Sequence, residues 1–134
     1  MKKQWYLGLD YGKSWIGMAV GNAMFGVSAL AAVKYVNEEK WISDLSKVVK
    51  EYEVSEIVMG MPEGLLKEEI EKLGRKLEKS LEIKVNFQDE EGSSKLAVKT
   101  ARASAVSVGK LKEGEHSLAA SEILRRYLYE RVDD

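Results

Sequence analysis

The chain contains no cysteine, which excludes disulfides, thiolate metal ligands and cysteine nucleophiles. A reducing, cytoplasmic setting is compatible with that absence. It has a single proline, while its many lysines and glutamates suit a heat-adapted source. No apolar run approaches membrane-spanning length. The basic start Met1-Lys2-Lys3 is followed by an apolar stretch that Asp10 and Lys13 interrupt, which does not match a secretory leader. A strong charge of either sign is missing too. The net charge is −1 and the pI about 6.0, so overall charge gives no case for nucleic-acid binding. There is no internal repeat and no interdomain linker.

What is present fits one globular unit. At 134 residues, 45% hydrophobic and 32% charged, the chain can bury a continuous core and is not of disordered composition. Residues 1–134 are therefore read as one domain.

The stretch Trp5 to Asn22 organises the rest. An apolar run (Trp5, Tyr6, Leu7, Leu9) ends on Asp10, the turn Tyr11-Gly12-Lys13-Ser14 follows, and a second apolar run begins at Trp15. Apolar, β-rich runs joined by a short Gly-containing turn predict a hairpin. Asp10 then stands at its mouth, and Gly8 and Gly12 allow a ligand or another backbone to come close. A carboxylate on a rigid strand end suits a metal, though Asp also serves simply as a turn residue.

Beyond the hairpin, Phe25 to Val36 reads as a third strand. Asn37 is a candidate N-cap with Glu38 and Glu39 in the first turn. Trp41, Ile42, Leu45, Val48, Val49 and Tyr52 then follow at helical spacing. Ile57 to Met61 is a buried central strand ending at Pro62. Leu66, Ile70, Leu73, Leu77 and Leu81 mark a second helix, and Glu82 to Gln88 alternates as a strand into Asp89-Glu90. Ser93-Ser94 caps a further helix from Lys95 to about Val106. Val108 to Gly114 reads as a Gly- and Lys-rich loop. Leu118, Ala119, Ile123, Leu124, Tyr127 and Leu128 define the last helix. This order predicts an α/β fold: a mixed five-stranded sheet, a three-strand meander followed by α/β units, with helices on both faces.

Ligands in open α/β sheets favour the carboxyl ends of adjacent strands. Asp10, Pro62 and Asp89-Glu90 all fall at such ends. The acidic run Asp89-Glu90-Glu91 is followed by basic residues without an acid among them: Lys95, Lys99, Arg102, Lys110 and Lys112. Acids beside a basic arm are a combination a metal-dependent nuclease uses, although most charge runs are solvated helix faces. The basic residues, with Lys13, are the candidate phosphate contacts.

Four segments together resemble the YqgF/RuvX-type Holliday junction resolvases, also described as pre-ribosomal-RNA nucleases. The first is Leu7-Gly8-Leu9-Asp10-Tyr11-Gly12 running on to Ile16-Gly17-Met18-Ala19-Val20. The second is Ile57-Val58-Met59-Gly60-Met61-Pro62. The third is Asp89-Glu90-Glu91 with Ser93, Ser94 and Ala97, and the fourth is His116-Ser117-Leu118-Ala119-Ala120. The resemblance implies a ribonuclease-H-like fold and a nuclease using Mg²⁺ or Mn²⁺ on structured RNA or branched DNA. It assigns Asp10 and Glu90 as metal ligands with catalytic roles, and Asp89 as their neighbour.

The chain departs from the pattern in three places. His116 stands where the family carries its C-terminal acid, with Glu115 just before it, Glu91 replaces an Arg, and the segment after Pro62 is short. His116 is the only histidine; at that position it is assigned as a metal ligand or proton shuttle, and Glu115 is the substitute if the helix begins one residue earlier. A resolvase acting on two strands is expected to be a homodimer. Two rivals remain at this stage. One is the actin-like ATPase and sugar kinase branch of the fold, which needs two such domains. The other is a catalytically impaired module that binds nucleic acid or protein.

Overall fold

Along the first strand, Leu7 and Leu9 alternate with Tyr6 and Gly8, and the two sets serve opposite sides of the sheet. The computed structural model describes residues 4–12, 14–61, 66–89 and 108–132, with Leu66, Asp89, 108–116 and 131–132 described by backbone alone. The elements are β1 (Trp5–Asp10), β2 (Trp15–Asn22), β3 (Gly26–Lys34), α1 (Glu38–Glu51), β4 (Val54–Met61), α2 (Leu66–Leu81), β5 (Lys84–Asp89) and α3 (Val108–Val132).

The five strands form one sheet in the order β3-β2-β1-β4-β5. The β1–β2 and β2–β3 pairs are antiparallel, whereas β4 joins β1 and β5 joins β4 in parallel. The predicted meander and α/β units are both present. On one side, Leu7, Leu9, Ile16, Met18, Ile57 and Met59 pack with Trp41 and Leu45 of α1 and with Ile70, Leu73 and Leu77 of α2. On the other, Tyr6, Ala19 and Val58 pack with Ala120, Ile123, Leu124 and Tyr127 of α3. Helices cover both faces, as expected, because β1 and β4 are apolar on both sides and need two covers. Among the described residues no helix is long and apolar enough to cross a membrane.

The N-cap at Asn37 is made: its Oδ1 accepts from the Lys40 backbone N–H at 2.8 Å. Several boundaries move, among them the start of β4, at Val54 instead of Ile57. The third strand begins at Gly26 and ends at Lys34, leaving Phe25 in the turn, where its ring stacks on Trp5 at 5.7 Å. Val108 to Gly114 is helical, not a loop. Isolated glycines are tolerated in helices, and extending an already docked helix costs far less than starting one. The helix expected from Lys95 to Val106 lies outside the described residues.

Candidate active site

Asp10 closes β1, with Gly17 its partner on β2. It follows Tyr6 and Gly8 in the strand alternation and so belongs to the side covered by α3. Only 7% of its surface is exposed, and a carboxylate this buried is held by neighbouring groups, since isolated burial of a charge is costly. The parallel strands bring other strand ends alongside. Leu9 pairs with Met59, Gly60 with Gln88 and Met61 with Asp89. The carboxyl ends of β1, β4 and β5 thus form one edge, as the sequence predicts. Position 89 shares the alternation of Val85 and Phe87, the side of α1 and α2. Gln88 falls on the α3 side, where its amide Nε2 donates to Glu130 at 3.5 Å.

The approach of α3 depends on Gly8. A Cβ there would lie 2.9 Å from both the Ala120 carbonyl oxygen and the Leu124 Cβ. The glycine beside the acid therefore admits another backbone, one of the two uses its position suggests. From this crossing the helix runs towards β3, where Ser117 Oγ donates to the Leu30 carbonyl at 2.9 Å. Leu30 pairs with Met18, and Met18 with Leu9, so Ser117 is anchored level with the end of β1 that carries Asp10. A register irregularity between Ile16 and Met18 sits at the same level, and such bulges are common beside active sites. Neither the Ser117 anchor nor the bulge was read from the sequence. A hydroxyl bonded to a carbonyl distant in sequence leaves no local signal.

His116, one residue before this anchor, is on the α3 backbone on the same sheet face as Asp10, and it lies within the helix rather than at its first residue. The helix begins at Val108, ahead of both Glu115 and His116. Lys110 and Lys112 are likewise on α3, described by backbone. Glu90, Lys13, Lys95, Lys99 and Arg102 lie outside the described residues. Among the described residues, no three of His, Cys, Asp or Glu converge closely enough to hold a metal ion. The described part of the candidate site is thus Asp10, the strand end at Asp89 and the α3 turn bearing His116.

Tyr11, next to Asp10, packs into an aromatic triangle. Its ring centroid lies 5.8 Å from Tyr35 and 5.9 Å from Trp41, with Tyr35 and Trp41 also 5.9 Å apart. The packing role is the one observed, ahead of stacking on a base. Burial, followed by the neighbouring Tyr35, Glu69 and Glu38 charges, pushes the Tyr11 hydroxyl pKa up. Tyr11 therefore stays protonated at neutral pH and serves the core on the α1/α2 side, the face opposite Asp10.

Comparison with known proteins places this geometry. A protein from Clostridium botulinum (strain Eklund 17B / Type B) named "Putative pre-16S rRNA nuclease" is 34% identical over 129 residues, covering 91% of this chain and 94% of its own length. In three dimensions the chain is similar to Thermus thermophilus RuvC in complex with a Holliday junction, at a TM-score of 0.59 and 14% identity, over 98% of this chain and 97% of that one. It is also similar to the fowlpox virus Holliday junction resolvase, at a TM-score of 0.58 and 9% identity, over 96% and 99% of the two chains. At such identities these two structures speak for the fold, which is ribonuclease-H-like. The model of the family described as RuvX: Holliday junction resolvase matches residues 4–130, and the chain belongs to that family.

Proposed function

We propose that this protein is a divalent-metal-dependent nuclease that hydrolyses phosphodiester bonds in structured nucleic acid, ribosomal RNA precursor or branched DNA. The observation that carries the reading is Asp10: a carboxylate 7% exposed at the end of the central strand, beside two parallel strand ends and on the face crossed by α3. The hard oxygen donors at this edge suit Mg²⁺, which takes few protein ligands and keeps several waters. Asp10 and Glu90 would hold the metal, with Asp89 adjacent; an imidazole at His116 favours Mn²⁺ at least as well. When bound, divalent ions activate water and stabilise the charge that develops on the phosphate.

The chain's own residues do the rest. Asp10 is fixed by the strand on which it sits, so its carboxylate is preorganised. His116 would accept or return a proton, the imidazole being the side chain that ordinarily titrates near neutral pH. Lys13, Lys95, Lys99, Arg102, Lys110 and Lys112 contact backbone phosphates without reading sequence. Resolving a junction requires two cuts, so two copies would act together there, whereas trimming a precursor requires one.

Incubation with branched DNA and with structured RNA, in Mg²⁺, Mn²⁺ or chelator, tests the proposal. Metal-dependent cleavage that Asp10→Asn abolishes is the expected result, and the preferred substrate identifies the natural class. Binding without cleavage in either metal would instead mean a module that has lost its chemistry.

A further inference from the structure

At the opposite end of the sheet from Asp10, a cleft of about 630 Å³ lies between the β2–β3 turn and the last turns of α3, within the size range of small-ligand sites. Its floor is apolar, with Val27 and Leu128, and its walls carry Asn22, Arg125, Arg126 and Tyr129. Gly21, beside Asn22, pairs with Tyr6, which lies ~13 Å from Asp10 along an extended strand. None of these side chains is used by the candidate active site.

Three features of the cleft point to one ligand chemistry. Tyr129 is 75% exposed, a flat ring in water at the rim of an apolar floor. Asn22 is only 6% exposed, and its Oδ1 accepts from the backbone N–H groups of Met24 at 3.1 Å and Phe25 at 2.7 Å. Those two bonds settle which way the amide faces, and its Nδ2 donor meets no acceptor among the described residues. Arg125 and Arg126 supply positive charge at the rim. Of the acids here, Glu122 pairs with Arg125 at 2.8 Å, while Glu130, which also lines the cleft, accepts only a long bond from the Gln88 amide at 3.5 Å and keeps its charge. Arg125 remains half-exposed, and a guanidinium has further N–H groups to offer.

We propose that this cleft holds one unpaired nucleobase from a single-stranded segment of the substrate. The base stacks on Tyr129 over the Val27–Leu128 floor, accepts a hydrogen bond from Asn22 Nδ2, and leaves its phosphate on Arg125 and Arg126. Ring, oriented amide and guanidinium are the groups that recognise splayed-out bases. An apolar peptide would have no use for the last two. A base stacked and paired in a duplex offers neither a free face nor a free Watson–Crick edge. The inference rests on the nuclease reading for its biological strand but is tested separately from it.

Binding of a labelled single-stranded oligonucleotide, as RNA and as DNA of the same sequence, is measured by fluorescence anisotropy in chelator, so that no cleavage occurs. Tyr129→Ala should weaken it about 5- to 150-fold, the range of one lost base stack, and Tyr129→Phe should restore it. Asn22→Asp keeps the acceptor that holds the turn and removes the donor; it should weaken binding, with thermal melts checking that the variant is folded. In cleavage assays Tyr129→Ala should raise KM and leave kcat unchanged. Equal affinity for a blunt duplex, or unchanged binding in Tyr129→Ala, overturns the proposal. So does a dimer that Tyr129→Ala dissociates, since a second copy would then fill the cleft. Cleavage abolished by Asp10→Asn but indifferent to Tyr129 sinks the cleft alone. Tyr129-dependent binding without any cleavage sinks the nuclease reading alone.

Discussion

Gly8 and Asp10 stand on the same side of β1 and divide the work at that face. The missing Cβ of Gly8 lets the α3 backbone settle on the strand, with the Ala120 carbonyl and Leu124 Cβ both 2.9 Å from where a methyl would stand. Neither contact is with the far end of a flexible side chain, so Gly8→Ala must lift the helix rather than rotate a rotamer. The expected loss is about 1–3 kcal/mol, the cost of overpacking a filled interior, read from urea midpoints at constant slope. Because α3 also carries His116, the variant should lose activity beyond what its stability explains. Asp10→Asn is the complementary change. It preserves shape, so it should abolish cleavage while leaving the fold intact, checked by circular dichroism beside the cleavage assay.

Among the elements, both helices on the α1/α2 side end the same way. Glu53 after α1 and Glu82 after α2 have φ of 52° and 53°, the left-handed region that glycine enters without strain. The turn after α1 is closed by the Tyr52 N–H donating to Val48 O at 3.0 Å and the Glu53 N–H donating to Lys50 O at 3.4 Å. A non-glycine residue there carries roughly 1–2 kcal/mol of backbone cost, partly offset because glycine is freer when unfolded. Glu53→Gly and Glu82→Gly should therefore each stabilise the protein by about 0.5–1 kcal/mol in equilibrium denaturation at neutral pH.

A third contact ties α2 to β5: the Val85 backbone N–H donates to the Glu78 carboxylate at 3.0 Å. That bond foremost, with Arg75 and Lys84 adding to it, holds the Glu78 pKa below its ordinary value against the opposing effect of burial. A folded-state pKa below the unfolded one contributes stability above the unfolded value and loses it as pH falls through the folded value. Stability should decline through the acid carboxylate range, and Glu78→Ala should flatten that part of the profile, as followed by thermal melts across pH.

These elements also show what a sequence can carry. Periodicity located α1, α2 and the docked part of α3, because a buried stripe must recur with the helix. Asp10 was legible because β1 stops on a charge after an apolar run. At Asn22 nothing local reveals that the amide donor faces a cleft made with α3. The Val108–Gly114 segment was misread because its glycines and lysines resemble a loop, whereas the anchor that continues the helix lies further along the chain.

For the molecule as a whole, the opposite ends of one sheet carry different chemistry, with Asp10 at one and the cleft by Tyr129 at the other. A net charge of −1 means that long-range attraction to nucleic acid must come from local clustering of the basic residues. Counterion release then makes binding the most diagnostic whole-molecule property. Each phosphate neutralised contributes about 0.9 to the slope of log affinity against log salt on duplex. If Lys99, Arg102 and Lys110 each engage a phosphate, neutralising all three with Gln substitutions should reduce that slope by about 2 to 3, with weaker binding at low salt and little sequence dependence. Tyr129→Ala should behave differently, weakening single-strand binding at every salt concentration without changing the slope, because stacking releases no counterions. A triple variant whose slope equals that of the natural protein would place the phosphate path elsewhere on the surface.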